Sequence, residues 1–291
     1  MHKHLFLLNC IIASSFISLS QQISSFGNVD VIDSYYNPAF TAFENDVRGA
    51  AVYRHLQPSA NSLTLGRFEE LIMLAEFDLD QWNSGVGLKL HNEYVGLSHS
   101  RSVELNYRYQ LNLNDNTRFS LGLGGGYKDF DFDASGAVWP DGIPENFTIE
   151  REAGVNLNAG VGFSWKENLY LGASVMQLNE PSISLMNYER HYAMHGHYLF
   201  SVSESWQLQP QVLWLFNNNL NMLRVNLKTY HNERFWWMIS SGLNVQLMGA
   251  VGLRFWDKLD IGYGIDLYRN PHSKSFGGFL HEVVLSYRLR K

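Results

Sequence analysis

The sequence predicts an all-β protein, a single transmembrane antiparallel β-barrel of about 14 strands with a short N-terminal segment at its periplasmic mouth. Three observations predict it. Stretches that alternate polar and apolar residues recur along the chain, an apolar leader precedes them, and the connections between them are short at one parity and longer at the other. Val103–Leu111 is the clearest stretch. Val103, Leu105, Tyr107, Tyr109 and Leu111 share one face, and Glu104, Asn106, Arg108 and Gln110 share the other, because side chains alternate across a strand.

The leader opens Met-His-Lys-His and continues as the apolar run Leu5–Leu19. Small residues Ser18 and Ser20 stand before the polar Gln21-Gln22, the pattern of a secretory signal peptide cleaved near Ser20. The expected organisation is residues 1–20 as a removed signal peptide, 21–46 as a periplasmic or plug segment and 47–291 as an outer-membrane barrel. Cys10, the single cysteine, falls inside the leader, so the mature chain offers no disulfide and no thiolate metal ligand. Beyond residue 20 nothing approaches the roughly 18–20 apolar residues that a spanning helix needs. Aromatic residues make up 14%, charged residues only 17%, and there are 24 glycines, which suits strands, tight turns and aromatic girdles. The net charge of −6 is spread out, and no basic patch points to nucleic acid.

Period-2 alternation and turn residues place strands at 47–57, 63–78, 84–95, 101–111, 117–130, 151–165, 168–178, 191–203, 206–216, 220–230, 233–244, 247–256, 259–268 and 279–289. The alternation is least clear in 63–78, 233–244 and 247–256. In 117–130, Phe119, Leu121, Leu123 and Tyr127 oppose Arg118, Ser120, Gly122, Gly124 and Lys128. In 259–268, Ile261, Tyr263, Ile265 and Leu267 oppose Gly262, Gly264 and Asp266. In the last strand, Val283, Leu285, Tyr287 and Leu289 oppose Glu282, Ser286 and Arg288, which makes them the candidate assembly strand. Polar faces that carry charges, amides or glycine suit a lumen. The connections at Asp78–Asn83, Asn112–Asn116, Lys166-Glu167, Ser203–Ser205, His231-Asn232 and Asp257-Lys258 are short. Those at Asp131–Glu150, Asn179–Arg190 and Arg269–Gly278 are longer. Bacterial barrels have short periplasmic turns and longer outer loops.

Several segments in order resemble the PorP/SprF family of Bacteroidetes outer-membrane proteins. Ser34-Tyr35-Tyr36-Asn37-Pro38-Ala39-Phe40, then Arg48-Gly49-Ala50-Ala51-Val52-Tyr53-Arg54, are similar to the family's opening. Tyr170–Val175 leading to Pro181, Arg190-His191-Tyr192, Leu208–Leu213 and His281–Tyr287 are similar to its middle and closing strands. The resemblance implies a barrel of the type IX secretion and gliding machinery. Such a barrel would serve secretion or surface attachment of gliding adhesins, by binding their C-terminal domains, secretion lipoproteins or periplasmic components. The chain departs from most outer-membrane barrels at its end, Tyr287-Arg288-Leu289-Arg290-Lys291, where an aromatic residue is usual.

Other clusters have plainer readings beside their chemical ones. His191, His195 and His197 share a strand face, a pattern that metal sites use, yet no carboxylate is placed to orient them and solvated lumen histidines account for it. Asp129, Asp131 and Asp133 alternate as in a calcium loop, but the turn glycine comes too late and the aromatic spacers favour a strand rising above the membrane. Gly122-Leu123-Gly124-Gly125-Gly126 lacks the helix and Lys-Ser/Thr of a phosphate cradle, so it is expected to leave lumen room for a neighbour or a plug. Ser98-His99 points to opposite faces and makes a poor catalytic pair, so no catalytic residue and no cofactor is expected. Gln21–Asp46 is too long for a simple entry to the first strand. Its aromatics need burial, so Tyr35, Tyr36, Asn37, Pro38, Ala39 and Phe40 are the candidate docking or plug residues, in the barrel mouth. Beside the interaction protein stands a second class, an outer-membrane channel for hydrophobic or small solutes like the fatty-acid transporters.

Overall fold

A computed structural model describes residues 24–44, 46–59, 67–132, 151–166, 168–183, 186–242, 247–269 and 276–290. The expected signal peptide, Cys10, Asp133, Glu167 and most of the long connection Asp131–Glu150 lie outside the described residues.

Fourteen antiparallel strands form one closed wall. They are β1 (Asp46–Pro58), β2 (Arg67–Leu79), β3 (Ser84–Gly96), β4 (Ser98–Asn114), β5 (Thr117–Phe132), β6 (Glu152–Trp165) and β7 (Leu169–Met176). The second half is β8 (His191–Tyr198, resuming at Phe200–Ser201), β9 (Trp206–Phe216), β10 (Asn221–His231), β11 (Phe235–Gly242), β12 (Leu247–Phe255), β13 (Leu259–Arg269) and β14 (Phe276–Arg290). Each strand pairs with its neighbour in sequence, and β14 returns to β1 in a ladder from Asp46↔Arg290 to Pro58↔Gly278. Closure matters because lipid offers no partner to a free strand edge. Among the described residues no helix is long and apolar enough to cross a membrane; the strands do the crossing.

The face assignments follow the alternation. Leu105 is 68% exposed while Glu104 and Arg108 beside it are buried. The same holds on β14, where Val283, Leu285, Tyr287 and Leu289 face outward and Glu282 and Ser286 face inward. Short turns gather at one end. Trp256 and Asp257 both take positive φ between β12 and β13, as do Asn232 and Glu233 between β10 and β11, and paired positive φ values match the twist of a tight hairpin. Trp82 and Trp256 stand exposed at this end, where an interfacial aromatic belt belongs.

Some strand limits differ from the sequence reading. β4 runs from Ser98 to Asn114, longer than 101–111, because its pairing with β5 continues at both ends, from Ser98↔Phe132 to Asn114↔Thr117. The stretch 191–203 is interrupted at Leu199. The β8–β9 ladder runs to His197↔Gln211 and resumes at Phe200↔Leu208. The positions between them on β9 are Gln209 and Pro210, and Pro210 has no N–H to donate.

A basic residue at mid-bilayer on the lipid face costs roughly 2–4 kcal/mol. Val283→Arg is therefore expected to block assembly, read as loss of the heat-modifiable folded band on gels. A normal folded band would mean that the outward face of β14 is misassigned.

Candidate interaction site in the barrel lumen

The lumen is occupied by residues 24–44. Three short turns shape this segment: a 3-10 turn at Val29–Val31, a single helical turn at Asp33–Tyr36 and a 3-10 turn at Pro38–Phe40. Pro38 presets φ for the last of these, and the Asn37 Oδ1 accepts from the Ala39 backbone N–H at 2.9 Å as its N-cap. Glu44 at the periplasmic end accepts from Arg288 of β14 at 2.7 Å. From there the segment climbs until the Ser24 hydroxyl donates to Glu93, near the outer end of β3, at 3.5 Å. It thus penetrates well beyond the mouth where the sequence placed it.

Apolar packing seats the segment. Phe26, Ile32, Tyr36 and Phe40 are fully buried. The first three meet inward side chains that the alternation alone does not reveal, among them Val52, Ile72, Leu74, Leu213, Leu215 and Val284. Burying such a side chain contributes roughly 1.5–3 kcal/mol. Phe40 also packs on Phe43 and on His195, with ring centroids 4.7 Å apart in the second pair.

Polar contacts fix its position. Glu76 accepts from both Nε and Nη2 of Arg48, at 2.8 and 3.1 Å, from the Ala42 N–H at 3.1 Å and from the Ser34 hydroxyl. Arg48 also donates to Asp33 at 2.6 Å. The Asn37 amide donates to the carbonyls of Val161 and Ala173, at 2.9 and 3.3 Å, so one side chain ties the segment to β6 and β7. Ser120 and Ser174 donate to the carbonyls of Ala39 and Tyr36 at 2.9 and 2.6 Å. On the opposite wall Glu282 accepts from the N–H groups of Gly27 and Asn28, and Asn226 donates to the Gly27 carbonyl at 2.7 Å. Glycines on the wall make room. A Cβ on Gly122 would land on the Ala39 nitrogen, and one on Gly160 would land on Asn37 Oδ1. The expected role of the Gly122 run, space for a plug, is what this geometry uses.

Burial opposes ionisation of Asp30, but Lys228 at 2.7 Å outweighs it and holds the carboxyl down at about 2. Burial, together with the neighbouring Glu76, pushes Asp33 up to about 6 despite Arg48.

The other candidates do not converge on a site. His191 meets the Glu189 carbonyl and Asn217, His195 packs on Phe40, and His197 stacks on Tyr170. Asp129 and Asp131 each accept from Arg101 at 2.7 Å, and Asp129 also accepts from Arg151 at 2.6 Å, so guanidinium groups stand where a cation would. Among the described residues no group of three or more His, Cys, Asp or Glu is arranged to hold a metal.

Wall and segment together define an outer-membrane β-barrel with its N-terminal segment folded into the lumen. The chain belongs to the PorP/SprF family of type IX secretion system membrane proteins, whose family model matches residues 19–287. Solved structures share the fold at low identity. The TodX deltaS2S3 mutant monoaromatic hydrocarbon channel is 12% identical, with 91% of this chain and 94% of that one covered and a TM-score of 0.53. The CymD monoaromatic hydrocarbon channel is 10% identical, with 92% and 95% covered and a TM-score of 0.53. The P. putida toluene transporter TodX is 11% identical, with 92% and 95% covered and a TM-score of 0.51. No curated protein matches.

Two outcomes test the docking. Gly122→Val should leave the barrel assembled but push the segment away, so that a cysteine at Ala39→Cys, protected in the parent, becomes reactive to a soluble maleimide. Unchanged protection would show that Gly122 does not cradle the segment. Asp30 binds its proton less tightly when docked, so its pair with Lys228 stabilises docking above its ordinary 3.8 and is lost as the pH falls through about 2. Asp30→Asn should therefore lower the proteolytic protection of the segment at neutral pH and match the parent near pH 2.

Proposed function

We propose that this barrel acts in secretion or cell-surface attachment of exported proteins as a closed binding element rather than a conduit. Its partners are the C-terminal domains of exported adhesins, or the lipoproteins and periplasmic components of the type IX apparatus. The reading includes export on a signal peptide removed near Ser20, and it needs no catalytic step. The observation that carries it is the occupied lumen: residues 24–44 bridge β1, β2, β6, β7, β10 and β14 through the hydrogen bonds of Arg48, Glu76, Asn37, Asn226 and Glu282. A wall sealed in this way leaves its rims for recognition, and membership of the PorP/SprF family supports the setting.

The second reading is a channel for hydrophobic or small solutes, in which the same segment would be a movable hatch. The hydrocarbon channels that share the fold are only 10–12% identical and bear on architecture alone. Affinity purification of the tagged barrel from native outer membrane separates the two. The binding reading expects co-recovery of an exported C-terminal domain or a secretion lipoprotein, and an electrically silent barrel in planar bilayers. Recovery of the barrel alone, with normal secretion and surface display in a deletion strain, would overturn it. Steady single-channel conductance would favour the channel.

A further inference from the structure

The lipid-facing wall is not evenly filled. Where β6, β7, β8 and β9 run side by side, an apolar groove of about 640 Å³ opens outward. Its cause can be read from the register. One row across the strands is Phe163, Leu171, Gly196 and Val212, and the row above it is Val161, Ala173, Met194 and Trp214. Ala173 and Gly196 are diagonal neighbours with almost no side chain, and larger groups stand on either side of them. Pro210 lies at the lower edge, beside the interrupted stretch of the β8–β9 ladder. The volume is within the range of ordinary small-molecule pockets, roughly 300–1,000 Å³.

We propose that this groove is a binding site for a single lipid acyl chain. The surface around it is the band that already faces the bilayer: Leu171, Met194, Val212 and Trp214 are all exposed on the outside of the wall. The groove is continuous with that band, so its occupant comes from the hydrocarbon phase. Dispersion makes a recess of this kind hold one chain in preference to leaving a void, because the lining of an unfilled gap forfeits its contacts. No headgroup contact is required, so the site selects an extended chain and not a particular lipid class.

The test uses the full barrel in phosphatidylethanolamine–phosphatidylglycerol vesicles doped with a phospholipid that carries a diazirine on its acyl chain. After illumination, labelling should concentrate on peptides from 169–173, 194–198 and 210–214, severalfold above that on the opposite wall at 247–255 and 259–267. Ala173→Phe should fill the recess and remove the excess while the opposite wall labels as before. Gly196→Leu is the less suitable variant, because its Cβ would stand 2.8 Å from the Tyr170 carbonyl oxygen. Leu171→Ala widens the groove and keeps the test informative if Ala173→Phe fails to assemble; its labelling should stay concentrated there. Even labelling around the barrel, an excess that survives Ala173→Phe in a folded barrel, or a groove covered by a second protein copy would each overturn the proposal.

Discussion

Everything in this molecule follows from the pairing of β14 with β1. In hydrocarbon each backbone N–H and C=O must find its partner inside the protein, and a curved sheet achieves that only by meeting itself. Closing the sheet creates an interior, and the period of two sends every second side chain into it. That interior is charged: Arg108 meets Asp78, Arg224 meets Asp266 and Lys89 meets Glu104, all buried. Buried ions are tolerable when paired and further hydrogen-bonded, and removing one partner costs roughly 3–5 kcal/mol. The N-terminal segment satisfies this demand from inside, offering backbone donors to Glu76 and Glu282 that water would otherwise supply.

The wall was legible because lipid and lumen make opposite demands on neighbouring residues. Where both demands are apolar, the signal fades. Ile72 and Leu74 on β2, Trp236 and Met238 on β11, and Met248 on β12 all point inward, toward residues 24–44 or one another. These strands cover the three stretches with the least clear alternation, 63–78, 233–244 and 247–256. On β2 the apolar lumen positions lie against the segment, whereas on β11 and β12 they pack on one another, and in both cases an apolar partner inside the barrel blurs the alternation.

The site was legible only in part. The aromatics and the Asn37-Pro38-Ala39 turn announced a segment that needed burial, but not how deep it would go. Depth is set by contacts far apart in sequence, such as Asn37 with Val161 and Ala173, or Asn28 with Glu282. No local pattern encodes them. The histidines at 191, 195 and 197 show the converse. Their spacing is regular because a strand is regular, and their partners, an amide, a phenylalanine and a tyrosine, give each a separate role.

The ion pair between Glu44 and Arg288 joins the root of the segment to the last strand made. Glu44 is synthesised before any of the wall, whereas Arg288 stands near the end of its last strand. A segment made ahead of the wall therefore gains one of its anchors only when the last strand is in place. Completion of the wall and retention of its contents share a latch, so a barrel that stalls before its final strand pairs is also one whose interior has not been locked.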